Sequence, residues 1–269
     1  MPNHDPGASC QFRFQFRLIE IEQIDSTNSE ALRRAAAGET GPLWIRAKRQ
    51  THGRGRSGRA WLSGEGDLAA TLLFDPCCEP ALLHQLALVA GIAVHAALTP
   101  LLPTGAGVRL KWPNDVLVGE AKLGGILVET STFAGRPLAA IGVGINIAEA
   151  PDVPGRNVTS LIQCAAKESS PSELLQPIAE QMEHWLRIWQ SGAGFASIRR
   201  AWLDRAGHIG EPMTVNTGSS TVNGTFAGID ETGALLLQGH DGGRAVAPHK
   251  LQRFTFGDVT LTPRAAAEG

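Results

Sequence analysis

Gly53-x-Gly55-x-x-Gly58 has the spelling of a dinucleotide-binding loop but the wrong neighbours for one. Such a loop needs a strand before it and a helix after it, so that a pyrophosphate meets the helix N-terminus. Residues 43–48 supply a strand-like run. Residues 61–67 (Trp-Leu-Ser-Gly-Glu-Gly-Asp) are turn material, and 68–74 is strand-like again. With no helix in place, the doubly wound nucleotide fold is set aside, and the segment reads as a loop between strands.

The charge of this loop is local. Residues 40–64 contain no acid and six bases, Arg46, Lys48, Arg49, Arg54, Arg56 and Arg59, while the whole chain of 269 residues carries a formal charge of -2. Glycines let the backbone approach a ligand, and arginines offer fixed forks of donors to carboxylate or phosphate. The loop therefore reads as an anion-binding site, with a solvated basic loop as the plain alternative. The balance elsewhere argues against a nucleic-acid coat. A hydrophobic share of 43% and a charged share of 19% are those of a soluble globule, long enough for one large domain or one plus a small one. Cys10, Cys77, Cys78 and Cys164 have no zinc spacing and are expected as reduced thiols in a cytoplasmic protein. No basic-then-apolar signal opens the chain. The most apolar run, 81–98, is broken by His84, Gln85 and His95 and reads as a buried helix, not a membrane span.

In chain order, 1–15 is expected as a loose tail and 17–22 as a strand. Thr27-x-x-Glu30 is expected to form a capping box for a helix that ends at Gly38. Ser26, Thr27 and Asn28 exceed what one cap needs, so the surplus could bind a neutral polar ligand. A helix from Pro80 to about 98 should lie buried across a sheet. Residues 108–118 read as strand, Pro-Asn-Asp turn and strand. Lys111 and Asp115 flank that turn with opposite charges, a plausible place for a phosphate and its Mg²⁺. Strands at 122–129 and 138–147 each carry two glycines, which mark close approach of a ligand or a bulge. Asn146, set in the second, could be a satisfied core residue or an adenine reader. Helices are expected at 172–190, restarted or kinked at Pro177, and at 194–204. Short strands at 213–217, 221–229, 234–238 and 244–247 predict a small barrel.

No P-loop, zinc pattern, catalytic triad or kinase set is present. Arg54, Arg56, Lys111 and Lys122 beside glycine backbone suit a reaction in which two anions meet and charge is stabilised without a covalent nucleophile. Joining a carboxylate to the α-phosphate of ATP fits that inventory.

The ordered set Ser26-Thr27-Asn28, Gln50 with Gly53-Arg54-Gly55-Arg56, Lys111-Trp112-Pro113-Asn114-Asp115, 122–129 (Lys-Leu-Gly-Gly-Ile-Leu-Val-Glu) and Gly142-Val143-Gly144-Ile145-Asn146 resembles the biotin protein ligase family over roughly residues 18–255. The resemblance implies an α+β fold: a mixed or antiparallel central sheet with helices, class II synthetase-like, plus a C-terminal SH3-like barrel. It divides the chain into a tail at 1–15, a catalytic domain at 16–207, the barrel at 208–258 and a tail at 259–269. It implies that biotin and MgATP give biotinyl-5′-AMP, which a lysine of a biotin carboxyl carrier domain then attacks, with no tightly bound prosthetic group.

By the family pattern Ser26, Thr27, Asn28 and Gln50 hold the biotin head group, with backbone contact from Gly125. Gly53, Arg54, Gly55 and Arg56 wrap the carboxylate and phosphate from a loop that orders on binding. Lys122 neutralises the reacting groups and Lys111 adds charge beside it. Arg59, Trp61 and Asn146 address the nucleotide, and Asp115 lies near a metal or the attacking lysine. A homodimer through sheet edges is possible for such a chain, and DNA binding is not expected. The rivals are lipoate or octanoate transfer on a related fold, and a non-catalytic RNA- or anion-binding module.

Overall fold

The computed structural model of the chain describes residues 17–241, 244–245 and 251–261. The expected tail at 1–15, the end of the C-terminal tail (262–269) and part of the last expected barrel strand lie outside these residues. Strand β1 (Leu18–Ile24) leads into helix α1 (Thr27–Ala36). Strands β2 (Leu43–Gln50) and β3 (Leu68–Phe74) flank the basic segment, and no α-helix follows it, as the reading of the glycines required. Strands β4 (Val108–Lys111) and β5 (Asp115–Val118) form the expected hairpin around a cis Trp112–Pro113 bond. Strands β6 (Ala121–Phe133) and β7 (Arg136–Ile145) are the two glycine-bearing strands. These seven make one sheet in the order β1-β2-β3-β7-β6-β5-β4, with β1 and β2 parallel and the remaining pairs antiparallel.

The two faces of the sheet differ because side chains alternate along each strand. One face presents Leu72, Ile141, Val143, Ile126, Val116 and Leu110 to helices α2 (Leu86–Leu98), α3 (Pro171–Trp189) and α4 (Phe195–Leu203) in the main hydrophobic cluster. The run 80–101 is apolar enough to cross a membrane by composition, but here it lies inside this core. Its first six residues, Pro80–Gln85, form a 3-10 turn, so the α-helix starts later than the expected Pro80. Helix α3 passes through Pro177 as a single element.

The other face is lined by small residues in register. One row runs Ala47, Ala69, Gly144, Gly125, Asp115, Lys111; the next runs Ile45, Thr71, Gly142, Leu127. Helix α1 covers only the end of this face, over Leu43, Ile45, Leu73, Leu138 and Ala140. A hollow remains where the rows are lowest.

Strands β8 (Pro212–Asn216), β9 (Thr221–Ile229), β10 (Leu235–Asp241), β11 (Arg244–Ala245), β12 (Leu251–Phe254) and β13 (Asp258–Leu261) build the second, all-antiparallel sheet of the C-terminal domain. Strand β13 pairs with β8 and runs past the limit of 258 expected for this domain. Its Met213, Val215, Phe226, Ile229, Leu235, Leu237 and Val259 belong to the same cluster as α2 and α3, so the core is continuous between the two sheets. Cys77 is disulfide-bonded, against the expectation of four reduced thiols, while Cys78 and Cys164 are free.

Candidate active site

The hollow is a cavity of about 810 Å³. At one end, helix α1 begins at Ser26, Thr27 and Asn28, all buried. Ser26, not Thr27, caps the helix: its Oγ accepts from Ser29 N, and Glu30 pairs instead with Arg33 and Arg34. The expected Thr27–Glu30 box fails because Thr27 turns inward. Gln50 Oε1 accepts from Thr27 N at 2.8 Å and lies 3.1 Å from Thr27 Oγ1. Thr71, rising from the sheet floor, places its Oγ1 2.8 Å from Thr27 Oγ1 and 2.6 Å from Asn28 Oδ1. Asn28 Nδ2 donates to Leu127 O and to Glu129 Oε2. Gly142 is required beneath it, since a Cβ there would lie 2.3 Å from Asn28 Oδ1. The result is a cluster of neutral groups, Ser26, Thr27, Asn28, Gln50 and Thr71, backed by the Glu129 carboxylate.

The basic segment crosses the cavity as a tight strap. Gly53 O accepts from Trp61 N at 2.9 Å, and Gly55 N donates to Arg59 O at 2.7 Å. The tip is a 3-10 turn, Arg56–Gly58, with Ser57 in the left-handed region at φ 55°. Arg54 donates to Glu129 at 2.6 Å. Arg56 reaches Asn114 Oδ1 at 3.3 Å and Gly257 O at 3.4 Å, and Arg59 pairs with Asp258 at 2.5 Å. Burial lowers the Arg56 pKa, opposed by Asp258 and Asp115. Trp61 lays its ring on Gly144, where a Cβ would come within 2.5 Å of it.

The third wall carries a charged trio. Asp115 is held by Lys122 at 2.5 Å and Lys111 at 2.9 Å. Burial alone would raise the Asp115 pKa; the two lysines overcome it and hold the carboxyl at about 2. Lys111 also donates to Val259 O at 2.9 Å, and Lys122 Nζ stands 5.5 Å from the Trp61 ring centroid. Asn146 is buried but not fully satisfied: its Nδ2 donates to Thr159 O, while its Oδ1, at the cavity wall, has no partner among the described residues.

Every site residue expected from the sequence lines this cavity except Gly53, which lies beneath Trp61 at the root of the strap. Four parts were missed. Thr71 was signalled by being the one hydroxyl in the apolar run 68–74, and Glu129 ends a motif already quoted. The wall at 151–158 comes from an irregular connection that bridges to Lys122 through Val158, and the wall at 258–261 comes from β13. Neither wall has a pattern that sequence could mark.

Neutral polar groups at one end, fixed cations across the middle and a carboxylate locked between lysines make a site suited to bringing two anions together, as a ligase must. Comparison with known proteins narrows the class. Residues 20–147 match the Biotin/lipoate A/B protein ligase family, and residues 208–261 match the Biotin protein ligase C terminal domain. A biotin--[acetyl-CoA-carboxylase] ligase of Paracoccus denitrificans is 39% identical, the alignment covering 85% of this chain and 96% of that protein. One of Mycobacterium tuberculosis is 32% identical, over 89% and 88%. A biotin protein ligase of Aquifex aeolicus, solved in complex with biotin and ATP, superposes with a TM-score of 0.74 at 26% identity, covering 93% of this chain and 100% of that one. The chain belongs to the biotin protein ligase family.

Proposed function

We propose that this chain is an ATP-dependent biotin ligase that makes biotinyl-5′-AMP and passes biotin to one lysine of a biotin carboxyl carrier domain. The observation that carries this reading is the single cavity holding both the neutral Ser26–Asn28–Gln50 cluster and the Lys111–Asp115–Lys122 trio, with the strap between them. The ureido head group of biotin, neutral and rich in donors and acceptors, suits the first. Its tail runs along the floor past Gly125, where a Cβ would already meet Lys122 Nζ at 3.2 Å and the Trp61 ring at 3.4 Å.

The carboxylate then lies beside Lys122 and Arg56. One carboxylate oxygen attacks the α-phosphorus of ATP, and the bond to pyrophosphate breaks. Lys122, Lys111 and Arg56 are preorganised cations where negative charge gathers, which is the main source of rate in such a step. Asn146 Oδ1 is an acceptor for the adenine amino group, Trp61 covers the nucleotide, and Arg59 adds charge from the strap, while Arg54 is held by Glu129. In the second step the lysine amine attacks the acyl carbon and AMP leaves; Asp115, ionised between its lysines, is the carboxylate nearest to steer that amine. Mg²⁺ would come with the phosphates and neutralise part of their charge; Asp115, the most shielded carboxylate lining the cavity, would have to give up Lys111 or Lys122 to ligate it. Cytoplasmic location and pairing of two copies through a sheet edge belong to the same reading, the latter measurable by sedimentation.

Pyrophosphate release from ATP tests the proposal. Release that requires biotin, with label passed to a carrier domain, is the expected result. Release driven by lipoate or octanoate while biotin is ignored would overturn it, as would salt-sensitive RNA binding without ATP turnover.

A further inference from the structure

We propose that Glu129 is a positioning residue that couples the strap to the head-group end of the cavity, an inference that rests on the biotin reading above. Its Oε2 receives two donors from parts of the chain that are far apart in sequence: Asn28 Nδ2 at 2.9 Å and Arg54 at 2.6 Å. The contacts continue on both sides. Asn28 Oδ1 accepts from Thr71, Thr71 Oγ1 in turn accepts from the Thr27 hydroxyl 2.8 Å away, and Thr27 N donates to Gln50, which ends the strand from which the strap departs. The strand end at Gln50 and the strap at Arg54 are thus joined through one circuit of polar groups that passes under the head-group pocket.

Proton counting gives the circuit a direction. Asn28 Oδ1 can only accept, so the single proton of Thr71 goes to it. That fixes the amide with its Nδ2 toward Leu127 O and Glu129, since both are acceptors only. The charge of Glu129 is then left for Arg54. The guanidinium assigned from the sequence to the substrate carboxylate and phosphate is therefore already engaged, while Arg56 and Lys122 face the reacting groups. Arg54 serves the strap: through Glu129 it sets where the strap lies relative to Asn28. A head group seated against Asn28 and a strap docked on Glu129 support each other, so each is expected to favour the other.

Glu129→Gln tests this, because the amide keeps an acceptor for Asn28 but loses the charge that holds Arg54. In ligand-free protein, trypsin cleavage after Arg56 and Arg59 should become about tenfold faster, the strap having lost a charge-assisted bond. The KM for biotin should rise about tenfold with kcat within about twofold, the pattern of lost ground-state positioning. Arg54→Gln should give the same two changes, and the double variant should be no worse than the worse single one, since both break one contact. Unchanged cleavage and KM, or effects that multiply in the double variant, overturn the proposal. Should Glu129→Gln fail to fold, Arg54→Gln leaves the Glu129–Asn28 contact whole and carries both readouts. Wild-type protein that releases no pyrophosphate with biotin would sink the ligase reading alone; the cleavage arm needs no ligand and still decides the role of Glu129.

Discussion

At the Ser26–Asn28 end of the cavity the buried side-chain polar atoms find partners inside the protein, and most of those partners stand on sheet or helix. At the strap end the opposite holds. Arg59 leans on Asp258, a residue about two-fifths exposed, Arg56 on a barrel carbonyl, and the buried Trp61 Nε1 and Asn146 Oδ1 have no partner among the described residues. The contrast teaches how one pocket handles two kinds of ligand group. A neutral head group needs fixed complementary donors and acceptors, and these are finished before it arrives. Anions need cations that can be drawn from provisional partners, and a phosphate competes well with an exposed carboxylate because exposed ion pairs contribute little.

The contrast breaks most decisively at Lys122. Lys122→Ala leaves Asp115 with one lysine and takes the nearest cation from the reacting groups; biotin-dependent pyrophosphate release should fall about 100- to 1000-fold, as for loss of one preorganised donor. A fall of less than tenfold would move the reaction centre away from the trio. Thr71→Val strands the buried Asn28 Oδ1, which should cost about 1–3 kcal/mol in a denaturant melt. The same variant should raise the KM for biotin and leave that for ATP alone; equal rises would erase the distinction between the two ends. Arg56→Ala should keep the fold and release biotinyl-5′-AMP several-fold faster, seen as label on nearby non-target lysines.

Acid sharpens the comparison. The Asp115 pKa is depressed, so its stabilising contribution is complete above the unfolded carboxylate range near 4 and is lost as pH falls toward 2. Melting temperature should therefore hold steady down to about pH 4 and drop below it. Asn substituted for Asp115 should flatten that drop. The smallest effect belongs to Arg59→Ala, whose exposed pair with Asp258 should change stability by less than about 1 kcal/mol.

The sheet was legible because each of its strands carries its own pattern. Residues 68–74 are apolar but for Thr71, and the glycines expected to mark a ligand's approach or a bulge do mark a register shift opposite 122–124, while at 125, 142 and 144 the chain's own Trp61 and Asn28 close in. The loop sense of Gly53–Gly58 followed from what came after it. The misses share a cause: they depend on what distant segments do. Thr27 looks like a cap until Gln50 and Thr71, on two other strands, claim its N–H and its hydroxyl. Pro80 looks like a helix start, yet the first six residues wind more tightly. Strand β13 has too few residues to show alternation, and only its pairing with β8 makes it a strand. Glu129 closes the strand read at 122–129, yet β6 runs on to Phe133 and α1 and the strap both arrive at its middle.

The continuity of the hydrophobic cluster from Leu86 and Leu174 through to Phe226 and Val259 has a consequence for heating and for engineering. Two segments that can be told apart by family and by topology share a single interior, so calorimetry should record one endotherm rather than two. The C-terminal sheet is then not a detachable accessory: exchanging it for a foreign one would mean redesigning the seam, and the catalytic half left alone would expose a greasy surface and aggregate.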